Sequence, residues 1–134
     1  MRLDFVPLSI PRAAALLAPA EQYAGGMSAA DMAMGSANFG IVDAAGVEVG
    51  AYALRVVENS AGATAWVIGA AGSLPGVDLT RAILPAIESH AGARGCDALA
   101  ITTKRPGLVR KLKAAGYEVA SVNLRKILKK ENAQ

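Results

Sequence analysis

The sequence predicts an α+β fold of three layers: a mixed central sheet of about six strands with helices on both faces. Two stretches carry the prediction. Between Asn38 and Ala71, three apolar runs are separated by the short turns Ala44-Ala45-Gly46 and Asn59 to Gly62. Such runs pair as an antiparallel meander. Between Ala63 and Ile101, an apolar run meets a glycine-rich turn (Gly69, Gly72, Gly76), then a helical pattern, then a second apolar run. A strand–helix–strand order makes the two strands parallel, with the helix as crossover. The 134 residues are 53% apolar and 19% charged, the composition of one globular domain covering residues 1–134.

The elements follow in order. Leu3 to Leu8 reads as a first strand, with Pro7 near its end. Pro11 suits the first turn of a helix, which runs to Ala24 with Ala14, Leu17 and Ala18 on one side. Pro19 kinks or ends that helix, and Gly25-Gly26 stops it. Ser28 caps a short helix over Ala29 to Met34, where Asp31 completes a capping box. Met27, Met32 and Met34 are read as core filling rather than a flexible apolar surface. The meander strands are Asn38 to Asp43, Val47 to Glu58 and Ala63 to Ala71. Gly50 inside the long strand marks a bulge or a close backbone approach.

The crossover helix carries Leu79, Ala82, Ile83, Ala86, Ile87 and His90 on one stripe, with Asp78 or Thr80 as its N-cap. Pro85 bends it if it starts at Asp78, and sits harmlessly in the first turn if it starts one turn later. His90 and Cys96 are read as packed residues rather than as a base and a nucleophile. Ala98 to Thr103 is a strand, and Gly107 to Ala115 a helix opened by Pro106 and stopped by Gly116. Leu108, Val109 and Leu112 face inward on it. Tyr117 to Leu124 is the last strand, and residues 125–134 form a basic tail.

Several classes are excluded or disfavoured. No apolar run approaches the roughly 20 residues that span a bilayer. The signal-like LLAPA is interrupted by Asp4, Pro7, Pro11 and Arg12 upstream. A single cysteine forbids an internal disulfide and points to a reducing, cytoplasmic setting. Residues 104–134 hold nine Lys/Arg against two Glu, whereas the first 103 hold five against nine Asp/Glu. That asymmetry suits an anionic partner or a solvated basic face. With one aromatic, Tyr117, and no groove-reading motif, the basic region is a poor nucleic-acid binder.

The element order, a long strand pair feeding a Gly-rich loop and helix, a helix ending in Ala93-Arg94-Gly95-Cys96, and the run Arg105-Pro106-Gly107-Leu108-Val109-Arg110-Lys111-Leu112 before Ala115-Gly116-Tyr117 together resemble the GNAT N-acetyltransferase superfamily. The stretch RPGLVRKLKAAGY is especially similar to short GNAT-like proteins of phages and prophages. The resemblance implies a GNAT-like sheet and acyl transfer from acetyl-CoA to an amine. It also admits an inactive module with a phage protein as partner. It implies that the backbone of Ile68, Gly69 and Ala70 holds the pantetheine arm, and that the loop residues Ser73, Leu74, Gly76 and Val77 hold the pyrophosphate.

Three departures from the family pattern bear on chemistry. The loop pattern Arg/Gln-x-x-Gly-x-Gly/Ala falls on Ser73, Gly76 and Asp78, so only the middle glycine is kept. A register shifted by two, to Pro75, Asp78 and Thr80, matches less well. A carboxylate at Asp78 supplies its own anion at the helix N-terminus and repels a pyrophosphate. We therefore expect weak or no acyl-CoA binding by the natural sequence. The family's general-acid tyrosine position is Leu112, and its asparagine seven residues earlier is Arg105. Leucine offers a leaving thiolate neither a proton nor a hydrogen bond. Glu48, Tyr52 and Glu58 remain as substitute catalytic groups, against readings as solvated strand-end charges and a half-buried strand residue. No metal site is expected.

Overall fold

The computed structural model describes residues 2–23, 26–103 and 105–129. Its order is β1 (Leu3–Pro7), α1 (Ile10–Leu17), a 3-10 helix (Ala18–Tyr23), α2 (Ala29–Ala33), β2 (Ala37–Asp43), β3 (Glu48–Asn59), β4 (Gly62–Gly72), α3 (Leu79–Ala93), β5 (Ala98–Ile101) and α4 (Pro106–Ala114). The strands form one sheet in the order β1-β2-β3-β4-β5. Neighbours are antiparallel from β1 to β4, and β4 and β5 are parallel. The fold is therefore the mixed GNAT-like sheet that the sequence indicates.

Alternation along β3 divides the core. Ala51 and Ala53 point to one face, where Ala13 and Leu17 of α1 and Met32 of α2 cover them. Tyr52 and Leu54 point to the other, where they meet Ile83, Ile87 and Ala91 of α3. A period of two on the strand thus gives each helical layer its own apolar surface. Small alanines on the first face admit helices close to the sheet. Gly69 belongs to this packing, since a Cβ there would stand 2.6 Å from the Met32 sulfur. Gly50 marks the close approach expected of it: a Cβ there would overlap the Ala71 carbonyl and lie 2.9 Å from the Gly72 Cα.

Four details settle or correct an expectation. The first helix loses its α-geometry after Leu17 and tightens to 3-10 over Ala18–Tyr23, because Pro19 cannot donate its share of the ladder. Ala24 lies outside the described residues. Of the methionines, Met32 is fully buried, Met27 packs against the core, and Met34 is 62% exposed. α3 starts at Leu79 with Asp78 as N-cap, so Pro85 sits inside the helix rather than in its first turn. Among the described residues the sheet has five strands, close to the six or so expected. After the left-handed Gly116, Tyr117 to Leu124 has no regular secondary structure and no ladder partner among the described residues. Of the basic tail, residues 130–134 lie outside the described residues.

Candidate functional site

β4 is paired on both sides for only part of its length. β3 accompanies it from Gly62 to Gly72. β5 accompanies it only over Thr64–Val67, opposite Ala98–Ile101, and then ends. The β3 register slips at the same place: Leu54 faces Val67, Ala53 faces Gly69, and Ile68 is the extra residue of a bulge. From Ile68 to Gly72 the β5 side of β4 therefore has no strand partner among the described residues. A backbone edge left without partners must find water or a ligand.

Beside this edge the splayed strands open a cavity of about 300 Å³. Most of the residues around it are apolar, among them Val67 and Ala70 of β4, Leu79 and Ile83 of α3, Ile101 of β5 and Leu112 of α4, while polar groups make up about half of the exposed lining. Leu112 is 6% exposed, the buried position expected for it. Among the described residues Arg105 is the one charged residue on the lining, and no carboxylate, histidine, cysteine or tyrosine lies there. An apolar cleft with a polar main-chain edge suits a long, thin amide-bearing ligand.

The loop after β4 is less free than a cradle for phosphates requires. The Ser73 N–H donates to the Val49 carbonyl at 2.9 Å, and the Val77 N–H to the Leu74 carbonyl at 3.1 Å. Pro75 has no N–H. Leu74 and Gly76 keep theirs, and Gly76 takes the left-handed backbone (φ 74°) that closes the turn. At the helix start the Asp78 carboxylate accepts the Arg81 N–H at 3.4 Å and the Lys111 ammonium at 3.2 Å. Desolvation opposes the charge, but the Arg81 N–H, Lys111 and the Arg81 charge outweigh it and hold this carboxyl below its usual range. The sequence does not reveal Lys111 as Asp78's partner, because the two stand 33 residues apart on separate elements.

Tyr52, Glu48 and Glu58 lie apart from one another. Tyr52 is fully buried under α3, and its hydroxyl meets His90 Nδ1. The His90 ring stacks on Phe39 (4.4 Å, 22°) and meets Phe5 edge-on (5.9 Å, 83°), while Arg94 lies 5.1 Å over Phe39. Burial raises the Tyr52 pKa, with Arg94 pulling slightly the other way. Burial and then Arg94 lower that of His90. Both groups are thereby kept neutral in a packed aromatic cluster, which the His90 stripe position foreshadows. Glu48 is ion-paired with Arg12 of α1, its Nε at 3.1 Å. Glu58 is exposed near the far end of β3. Cys96 is free and half-buried. Among the described residues no cluster of His, Cys, Asp or Glu is arranged to hold a metal ion, and no helix is long and apolar enough to cross a membrane.

No family model and no curated protein sequence matches the chain. Solved structures do match. The chain is similar to the ribosomal-protein-alanine N-acetyltransferase of Brucella melitensis, at 18% identity and a TM-score of 0.68, covering 94% of this chain and 99% of that one. It is similar to an aminoglycoside acetyltransferase from an uncultured soil metagenomic sample, at 14% identity and a TM-score of 0.68, covering 97% and 100%. It is also similar to the glucosamine-6-phosphate N-acetyltransferase of Arabidopsis thaliana, at 12% identity and a TM-score of 0.65, covering 96% and 100%. At such identities the shared property is the fold.

Proposed function

We propose that this protein binds an acyl-CoA thioester, of which acetyl-CoA is the simplest, and passes the acyl group to an amine in a reducing, cytoplasmic setting. The observation that carries the reading is the open edge of β4 from Ile68 to Gly72 above an apolar cavity. Main-chain groups of Ile68, Gly69 and Ala70 bind the amides of a pantetheine arm. Loop N–H groups of Leu74 and Gly76 reach for the pyrophosphate, in a loop that Ser73 and Val77 brace internally. The fit is good along the arm and thin at the phosphates, because Asp78 occupies the helix N-terminus. Bound there, the thioester supplies the activated acyl carbon. The amine's lone pair forms the C–N bond, the C–S bond breaks, and the amine proton ends on the released thiol or in water.

This chain contributes position rather than proton transfer. Among the described residues the lining holds no carboxylate, histidine, cysteine or tyrosine to move the proton, while Gln22, Thr80 and Arg105 stand on it as hydrogen-bond donors, and an N–H of the β4 bulge faces a developing oxyanion. Calorimetric titration with acetyl-CoA, followed by thiol release in the presence of primary amines, tests the reading. Weak binding, towards the millimolar end and worth about 4 kcal/mol, with slow amine-dependent thiol release is the expected result. No binding by the natural chain overturns it.

A second reading has its own observation. A lining that holds no carboxylate, histidine, cysteine or tyrosine among the described residues also suits a non-catalytic module, serving a phage or prophage partner of the kind that RPGLVRKLKAAGY suggests. Acetyl-CoA binding with no thiol release from any amine favours that reading.

A further inference from the structure

Positive charge is concentrated in the C-terminal part of this chain, where residues 104–134 hold nine Lys/Arg against two Glu. α4 brings part of that surplus to the cavity. Arg105, at its N-cap, stands on the lining together with Leu108 and Leu112. Lys111 reaches Asp78 at the start of α3, so its ammonium joins the two helical walls. Arg110 and Lys113 are exposed on the same helix, and Arg81 is exposed in the first turn of α3.

The bonding at this end of the cavity suits one phosphate rather than several. Ser73 and Val77 use their N–H groups inside the loop and Pro75 has none, which leaves those of Leu74 and Gly76. The Lys111 ammonium has donors beyond the one that Asp78 takes. A further phosphate at the start of α3 meets the Asp78 carboxylate, a like charge, where an anion needs a bare helix end.

We propose that the acyl donor is an acidic protein carrying the acyl group on a phosphopantetheine arm, rather than free CoA. The inference rests on the reading of the cavity as an acyl-thioester site and names the donor for it. The arm lies along Ile68 to Ala70. Its single phosphodiester meets the N–H groups of Leu74 and Gly76 and the ammonium of Lys111, and it brings none of the further phosphates of CoA. The acidic protein behind it rests against Arg81, Arg110 and Lys113. A protein suits this surface better than a nucleic acid, because the one aromatic residue of the basic region, Tyr117, has its hydroxyl on Glu88 at 2.7 Å and offers no row of rings for bases to stack on. Opposite charge steers the carrier to the mouth, and the tether then holds the thioester at high local concentration. The acyl carbon bonds to the amine nitrogen, the C–S bond breaks, and the thiol departs on the carrier, with the amine's proton on it or in water.

Calorimetric titration at low and high salt tests the proposal. The probes are an acidic acyl carrier protein bearing acetyl-phosphopantetheine, the same carrier without its arm, acetyl-phosphopantetheine alone, and acetyl-CoA. The acetylated carrier should bind at least about tenfold more tightly than acetyl-CoA at low salt, an advantage that shrinks as salt screens the surface. Acetyl-phosphopantetheine alone should bind no more weakly than acetyl-CoA, because it lacks the phosphates that Asp78 opposes. The double variant Arg110→Glu, Lys113→Glu should remove the carrier's advantage and leave the affinity for acetyl-phosphopantetheine as it is, since neither side chain lines the cavity. Both side chains are exposed, so the thermal midpoint of the variant should stay near that of the natural chain. Acetyl-CoA binding as tightly as the acetylated carrier overturns the proposal and leaves the thioester reading standing. An unchanged carrier affinity in the double variant overturns it as well, and so does equal binding of the carrier without its arm, the mark of an indifferent anion surface. No binding of any of the thioesters overturns the thioester reading and the proposal together.

Discussion

Leu112 closes the cavity, at the position where the resemblance drawn from the sequence implies a proton donor. Its burial at 6% exposure makes Leu112→Ala a cavity-forming change, expected to cost roughly 2–5 kcal/mol in urea denaturation. Leu112→Tyr should bring no large gain in thiol release, because the lining offers no acceptor-side base to act with it. Asp78 is the other decisive side chain. Asp78→Gly frees both the Arg81 N–H and the Lys111 ammonium for a phosphate. Acetyl-CoA should then bind about tenfold more tightly, or about 1.4 kcal/mol, against a cap loss of up to about 1 kcal/mol. His90 is the only histidine, so stability between about pH 5 and 7 reports largely on it. Its folded pKa lies below the ordinary 6.5, and the unfolded chain therefore takes up the proton first as pH falls. Stability should be held above pH 6.5 and decline below it until the folded ring also protonates. His90→Gln should flatten that decline in urea midpoints measured across the range.

Pro85 stands in the middle of α3, exposed, with no N–H for the carbonyl one turn back. Pro85→Ala should raise the thermal stability of the protein by up to about 3 kcal/mol, the cost of proline in a helix interior. A thermal melt or urea titration measures it. The elements of this protein were legible wherever a local pattern decides them. The meander strands, the Ser28 cap, the parallel crossover and the inward face of α4 follow from periodicity and turn residues alone. What escaped was decided by distance in sequence. Whether Tyr117 to Leu124 pairs depends on where α4 delivers it, which no window of residues records. The tie between Asp78 and Lys111 and the stack of His90 on Phe39 have the same origin, since each joins separate elements through packing.

Across the whole molecule, order should fall away from the middle of the sheet. β3 and β4 are flanked by partners, whereas residues 118–129 of the single chain have none. Amide exchange of the dilute protein should be slowest at Tyr52 to Leu54 and fastest beyond Tyr117, with the Ile68–Gly72 edge slowed on adding acetyl-CoA. The fold class and its topology were readable from the sequence, while the cavity was not. It arises from two strands parting after four paired positions, and neither strand's composition announces that they part. That parting has a bearing on how the protein is free to change over time. A binding edge made of peptide groups is spelled the same way by nearly every amino acid. Substitutions at Ile68 to Gly72 can accumulate without altering the direction in which its N–H and C=O groups point, provided proline stays out and the small residues packed against α2 and β3 stay small. A chain can thus change almost all of its letters while keeping that row of peptide groups in place, and its fold is shared with solved structures at 11–18% identity.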